Sequence, residues 1–99
     1  PVAKNVAVVY YSNDSWSQAY IHYCIANRSW TNVPGVLMEA TSEREGYSWK
    51  YVIDLDTEKS AQICFNNGNN QWDSRNSANY ALSAGTYGVK NQSITKLAD

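Results

Sequence analysis

Apolar and polar residues alternate along most of this chain with a period of two, the repeat of a strand that buries one face. Residues 2–11 are dominated by Val, Ala and Tyr, with Val6, Val8 and Tyr10 on one parity and Ala7, Val9 and Tyr11 on the other, which predicts a first strand. Residues 19–25 predict a second, with Ile21, Tyr23 and Ile25 toward the core; Tyr20, His22 and Cys24 fall on the other parity, which turns Tyr20 and His22 outward. A short third strand is expected over 36–40. A fourth, over 48–56, alternates Trp49, Tyr51, Ile53 and Leu55 with Lys50, Val52 and Asp54, which makes Trp49 a core residue. A fifth covers 61–66, with Ile63 and Phe65 inward. Residues 80–82 and 86–89 read as a hairpin-like pair around Ser83-Ala84-Gly85, and a last strand is expected over 92–97. Turn clusters such as Ser12-Asn13-Asp14-Ser15 and Val33-Pro34-Gly35 separate these runs. Helical periodicity is absent, so the fold class is all-β, an antiparallel β-sandwich.

One stretch breaks the alternation. From Asn66 to Asn79 the chain reads Asn-Asn-Gly-Asn-Asn-Gln-Trp-Asp-Ser-Arg-Asn-Ser-Ala-Asn, a long polar loop with Trp72 at its centre. Asn and Gly tolerate turn and left-handed geometry, so a structured loop is expected. A tryptophan there either plugs the core or meets a ligand. Trp30, just beyond the Asn27-Arg28-Ser29 turn, poses the same alternative, whereas Trp16 is expected to be structural, packing near the start of its strand.

The 99 residues fit a single domain spanning 1–99, and the start at Pro1 reads as a module cut from a longer protein. A formal net charge of -1 and scattered Lys and Arg argue against nucleic acid as a partner. No apolar run approaches the roughly 18 to 20 residues of a membrane span, so no membrane partner is expected. Cys24 and Cys64 allow one disulfide or two separate thiols, and spacing leaves both open. One His and two distant Cys do not make a zinc site.

Catalysis needs a nameable acid, base or nucleophile. His22 is the sole histidine, no serine or carboxylate is tied to it by a local motif, and the Asp and Glu residues fall mostly in loops and at strand ends. No catalytic residue and no cofactor is expected. What remains is a set of aromatics that the alternation leaves outside the core: Tyr20, His22, Trp30 and Trp72. Grouped surface aromatics mark a binding site. Sugars suit them, because the axial C–H face of a pyranose lies on the negative face of an indole, while amides, carboxylates and imidazole serve the hydroxyls.

The runs Trp16-Ser17-Gln18-Ala19-Tyr20-Ile21-His22-Tyr23, Trp30-Thr31-Asn32-Val33-Pro34-Gly35-Val36-Leu37-Met38 and Cys64-Phe65-Asn66-Asn67-Gly68-Asn69-Asn70-Gln71-Trp72-Asp73-Ser74, with the later Asn79-Tyr80 and Gly85-Thr86-Tyr87, closely resemble the family 25 carbohydrate-binding modules. These are starch-binding domains attached to bacterial amylases. The resemblance implies an immunoglobulin-like β-sandwich without catalysis, secreted with a covalently attached catalytic domain, that binds starch and maltooligosaccharides by stacking glucose on non-coplanar rings. Carried over by position, His22, Trp30 and Trp72 are the binding aromatics and Tyr20 a companion. Asn70 and Asp73 join them as hydrogen-bonding residues.

Other readings stay open on the residues alone. An immunoglobulin-like structural or adhesion module with a protein partner would bury the aromatics, and single-strand nucleic-acid binding by base stacking would show strong salt dependence. The Asn-rich loop offers oxygens to calcium but only one carboxylate, Asp73. Asn13, Asn27 and Asn91 begin Asn-x-Ser sequons, which are chance matches in a bacterial protein.

Overall fold

The computed structural model describes residues 5–26, 28–75 and 77–98. The expected start of the first strand at residues 2–4, Asn27 of the early turn and Asn76 of the Asn-rich loop lie outside the described residues. Among the described residues the chain forms β1 (Asn5–Tyr11), β2 (Tyr20–Ile25), β3 (Val36–Leu37), β4 (Glu39–Ala40), β5 (Trp49–Asp56), β6 (Ser60–Asn66), β7 (Trp72–Asp73), β8 (Tyr80–Ser83), β9 (Gly85–Lys90) and β10 (Ser93–Ala98). One sheet runs β10-β9-β1-β5-β4; the other runs β3-β2-β6-β7, with β8 also on β6. The expected all-β, immunoglobulin-like sandwich is therefore present. Among the described residues its pairings are antiparallel except one, since β9 lies parallel to β1 from Ala7↔Gly85 to Tyr11↔Val89. A parallel pair needs a long crossover, and everything from β2 to β8 supplies it.

Alternation builds the core as expected. Along β5, Trp49 is 8% exposed and Ile53 and Leu55 are fully covered. Ala7, Val9 and Tyr11 of β1 face Ile63 and Phe65 of β6 across the sandwich, and the rings of Tyr11 and Phe65 stack at 3.8 Å and 9°. Trp16 packs on the same cluster, 5.8 Å from Tyr11, in the structural place expected of it.

Three expectations need correction. Residues 36–40 are two strands on different sheets: β3 pairs with β2, β4 with β5, and between them Met38 drops into the core while its N–H donates to the Ala19 carbonyl at 2.9 Å. Residues 80–89 do not form a hairpin either. β8 pairs with β6, and the chain then crosses to the other sheet at Gly85, whose φ of +133° is costly for any residue with a Cβ. The Asn-rich loop, finally, contains the two-residue strand β7, which pairs with the end of β6 beyond the part taken by β8.

The question left open for the cysteines is answered by register. His22 pairs with Cys64 and Cys24 with Gln62, so the two sulfurs are diagonal neighbours on one face, and both are free thiols. Such diagonals stand about 7–8 Å apart at Cα, beyond the roughly 4.4–6.8 Å that a disulfide spans. The parity that turns Tyr20 and His22 outward does not leave Cys24 exposed. It is buried and donates to the Arg28 carbonyl, beneath the loop that follows β2.

Candidate functional site

Register assembles a site on the outer face of the β3-β2-β6-β7 sheet. Tyr20 of β2 lies opposite Asn66 of β6, and Asn66 opposite Trp72 of β7, which makes one row; His22 and Cys64 make the next. The imidazole of His22 meets the Trp72 indole nearly edge-on, at 5.7 Å and 73°.

Trp30 is not on a strand, and two backbone-directed bonds bring it in. The Thr31 N–H donates to the Tyr23 carbonyl at 3.0 Å, and the Tyr23 N–H donates to Thr31 Oγ1 at 3.2 Å, so the loop after β2 folds back along its own strand. Trp30 then stacks on His22 at 5.0 Å and 24°. Since one indole is nearly parallel to the imidazole and the other nearly perpendicular, the two indoles are inclined to each other by at least the difference between those angles. They are 37% and 43% exposed, two apolar plates tilted about a central imidazole and open to solvent.

Thr31 also sets the chemistry of His22. Its hydroxyl accepts from Tyr23 and lies 2.7 Å from His22 Nδ1. A hydroxyl has one proton to give; where Thr31 donates it toward Nδ1, the imidazole carries its own proton on Nε2, a donor facing outward. Burial lowers the His22 pKa from its ordinary 6.5, which keeps the ring neutral at pH 7.

Asn66 joins the two loops that carry the indoles. It is buried, donates from Nδ2 to the Pro34 carbonyl at 2.8 Å and accepts at Oδ1 from the Gly68 N–H at 2.8 Å. Beyond it Gly68, at φ +80°, passes so close to the half-buried Tyr20 that a Cβ there would sit 2.7 Å from the Tyr20 ring. Asn67 closes the tip, accepting from the N–H groups of Asn69 (2.8 Å) and Gln71 (3.3 Å). Asn70, at φ +63°, is exposed at that tip.

Asp73 is separated from the other expected site residues. It neighbours Trp72 on β7 and so points to the opposite face, where Oδ2 accepts from the Tyr11 hydroxyl and Oδ1 from the Tyr80 hydroxyl, each at 2.7 Å. Both phenols are buried, and burial pushes their pKa values up, leaving them as firm donors. The carboxylate thus ties β7 to the core and holds Trp72 from behind. His22, Trp30 and Trp72 come together, Tyr20 lies in the row of Trp72 across Asn66, Asn70 is exposed at the loop tip, and Asp73 holds β7 from the opposite face.

Sequence reasoning passed over Thr31, Asn66 and Gly68 as working residues. For Gly68 a signal existed, as the one glycine inside an Asn run; for Thr31 and Asn66 none did, because their partners are set by tertiary folding.

The chain is similar to known proteins in both sequence and fold. A family model described as a carbohydrate binding domain (family 25) matches residues 2–99. A β-amylase of Niallia circulans is 44% identical over 82 residues, 83% of this chain and 14% of the relative. The chain therefore spans only a small part of that curated relative. Among solved structures, the iodinated CBM25 from a Bacillus halodurans amylase in complex with maltotetraose superposes with a TM-score of 0.83 at 31% identity, covering 95% of this chain and 98% of that one. CBM25-1 of the β/α-amylase from Paenibacillus polymyxa gives a TM-score of 0.78 at 37% identity, covering 100% and 98%.

Proposed function

The chain belongs to the family 25 carbohydrate-binding domains, and from that membership we propose that its tilted aromatic shelf binds α-1,4-glucan, as starch or maltooligosaccharide, without catalysis. The observation that carries this reading is the inclination of Trp30 and Trp72 about His22. Successive glucose units in a coiled amylose chain turn their faces progressively, so two plates at an angle each receive a pyranose face where a flat strip would receive only one. Each stacked ring offers its C–H groups to the negative face of an indole. The neutral imidazole of His22 donates from Nε2 to a hydroxyl between them. Tyr20 and Asn70 serve hydroxyls at the border, and Asp73 acts by positioning Trp72 rather than by touching sugar.

A shelf this open binds wet and with modest affinity per site. Its value lies in tethering: joined to a catalytic domain, as its relatives' length suggests, it raises the local concentration of enzyme on an insoluble substrate. We place the whole protein among extracellular bacterial amylases. Sedimentation with granular starch, with cellulose as control, tests the reading. Depletion from solution by starch alone is expected, with quenching or shift of tryptophan fluorescence on titration with maltooligosaccharides. Equal retention on both polymers, or unchanged fluorescence at saturating sugar, would refute it.

A further inference from the structure

We propose that α-glucan longer than the shelf can hold continues past Trp72 into a second groove at the end of the sandwich, making Trp72 a ridge shared by two runs of sugar; this rests on the shelf being a glucan site. The groove has a volume of about 790 Å³, within the range of small-molecule sites. Its walls are the loop between β1 and β2, the turn between β9 and β10, and β7 itself.

Its chemistry is that of a site for a neutral polyol. Two indoles line it, the half-buried Trp16 and the exposed Trp72, and Ser15, Gln71 and Gln92 add uncharged donors and acceptors. Its charged lining residues are Asp14, Asp73 and Lys90, and the Asp73 carboxylate already accepts from the Tyr11 and Tyr80 hydroxyls, which leaves Asp14 and Lys90, of opposite sign, to face the opening. Lys90 is moreover drawn aside, its Nζ 4.9 Å from the centre of the Tyr47 ring.

The walls are fixed before any ligand arrives. The Ser12 N–H donates to the Val89 carbonyl at 3.1 Å, and Asn13 Oδ1 accepts from the Ser15 N–H at 3.0 Å. Asn13 Nδ2 donates to the Tyr11 hydroxyl at 3.2 Å, which fastens the loop to the same tyrosine that holds Asp73. A loop already ordered loses little entropy on binding. Continuity argues for one chain of sugar rather than two ligands: Trp72 meets His22 on the shelf and also lines the groove.

The test compares maltotriose with maltoheptaose by isothermal titration, on the wild type and on a Ser15→Ala/Gln92→Gly variant. Both side chains are exposed, and Gln92 has a φ of +60° that glycine adopts freely, so the variant keeps its fold. In the wild type the longer sugar should bind several-fold more tightly. In the variant that advantage should shrink toward onefold, with maltotriose affinity unchanged. The Trp16 indole N–H resonance should move with maltoheptaose and stay still with maltotriose. An undiminished advantage in the variant, or a Trp16 signal indifferent to maltoheptaose, overturns the groove while leaving the shelf intact. A wild type that binds neither sugar sinks the shelf reading and the groove with it.

Discussion

Both outer faces of the sandwich carry aromatic rings, and they treat them in opposite ways. On the β10-β9-β1-β5-β4 sheet, Tyr10 is only 7% exposed, because the Arg44 guanidinium lies 5.2 Å and the Lys50 ammonium 5.8 Å from its ring centre; Tyr47 beside it is capped by Lys90. On the other sheet, no cation lies over Trp30 or Trp72 among the described residues. A ring under a cation is satisfied at home, since its negative face is occupied and the charged stem shields its edge. A bare ring offers that same face to a ligand. Surface aromatics alone therefore do not define a site; uncovered ones do.

Substitutions separate the two faces. Truncating the covered ring should cost most: Tyr10→Ala should lower stability by about 3 kcal/mol, the order of a buried aromatic deletion, and leave affinity for maltooligosaccharides as it was. A urea melt and a sugar titration of the same variant read both. Next comes Asp73→Ala, which strands the Tyr11 and Tyr80 hydroxyls and should cost about 2–3 kcal/mol of stability. Asp73→Asn should recover part of that loss, and glucan binding should follow the ordering of β7 rather than the charge. The bare rings should behave in reverse. Trp30→Ala and Trp72→Ala should each weaken glucan binding by about 1 kcal/mol or somewhat more, with thermal midpoints close to wild type.

Smaller effects probe how the shelf is held. Thr31→Val keeps the shape but removes the hydroxyl between Tyr23 and His22, and a loss of about 1 kcal/mol in binding is expected; Thr31→Ser should restore it. Nitrogen-15 spectra of the imidazole should report the proton on Nε2 in the wild type and a mixture of tautomers in the valine variant. The smallest effect is in pH. Burial holds the His22 pKa below 6.5, so the unfolded chain binds more protons than the folded one as the medium acidifies. Stability from this group is then complete above pH 6.5 and is lost as pH falls through the lowered folded value. A His22→Asn variant should lack that sag in its urea midpoints.

Much of this molecule is legible in the chain because alternation is a local signal. Tyr20 and His22 turn outward and Trp49 and Ile53 inward by counting in twos, and the resemblance then names the indoles that no period could classify. Sheet membership is another matter. Met38 and Gly85 each send the chain from one sheet to the other, and nothing near them in sequence records which partner the next strand will find. Asp73 illustrates the same gap at the site: it sits among asparagines and looks like a ligand, yet two tyrosines distant from each other in sequence claim its oxygens. The parallel contact of β9 with β1 and the bridging role of Asn66 were equally out of reach, since both depend on segments that meet only after folding.

The central claim, that inclined and uncovered indoles select a curved α-glucan, is tested most directly by calorimetric titration of the wild-type protein with maltoheptaose and with cellohexaose under the same conditions. Binding of maltoheptaose with no detectable heat from the β-1,4-linked hexamer is the predicted result. Comparable affinity for both sugars would contradict it, because a shelf that accepts a straight chain equally well is not reading the tilt of its rings.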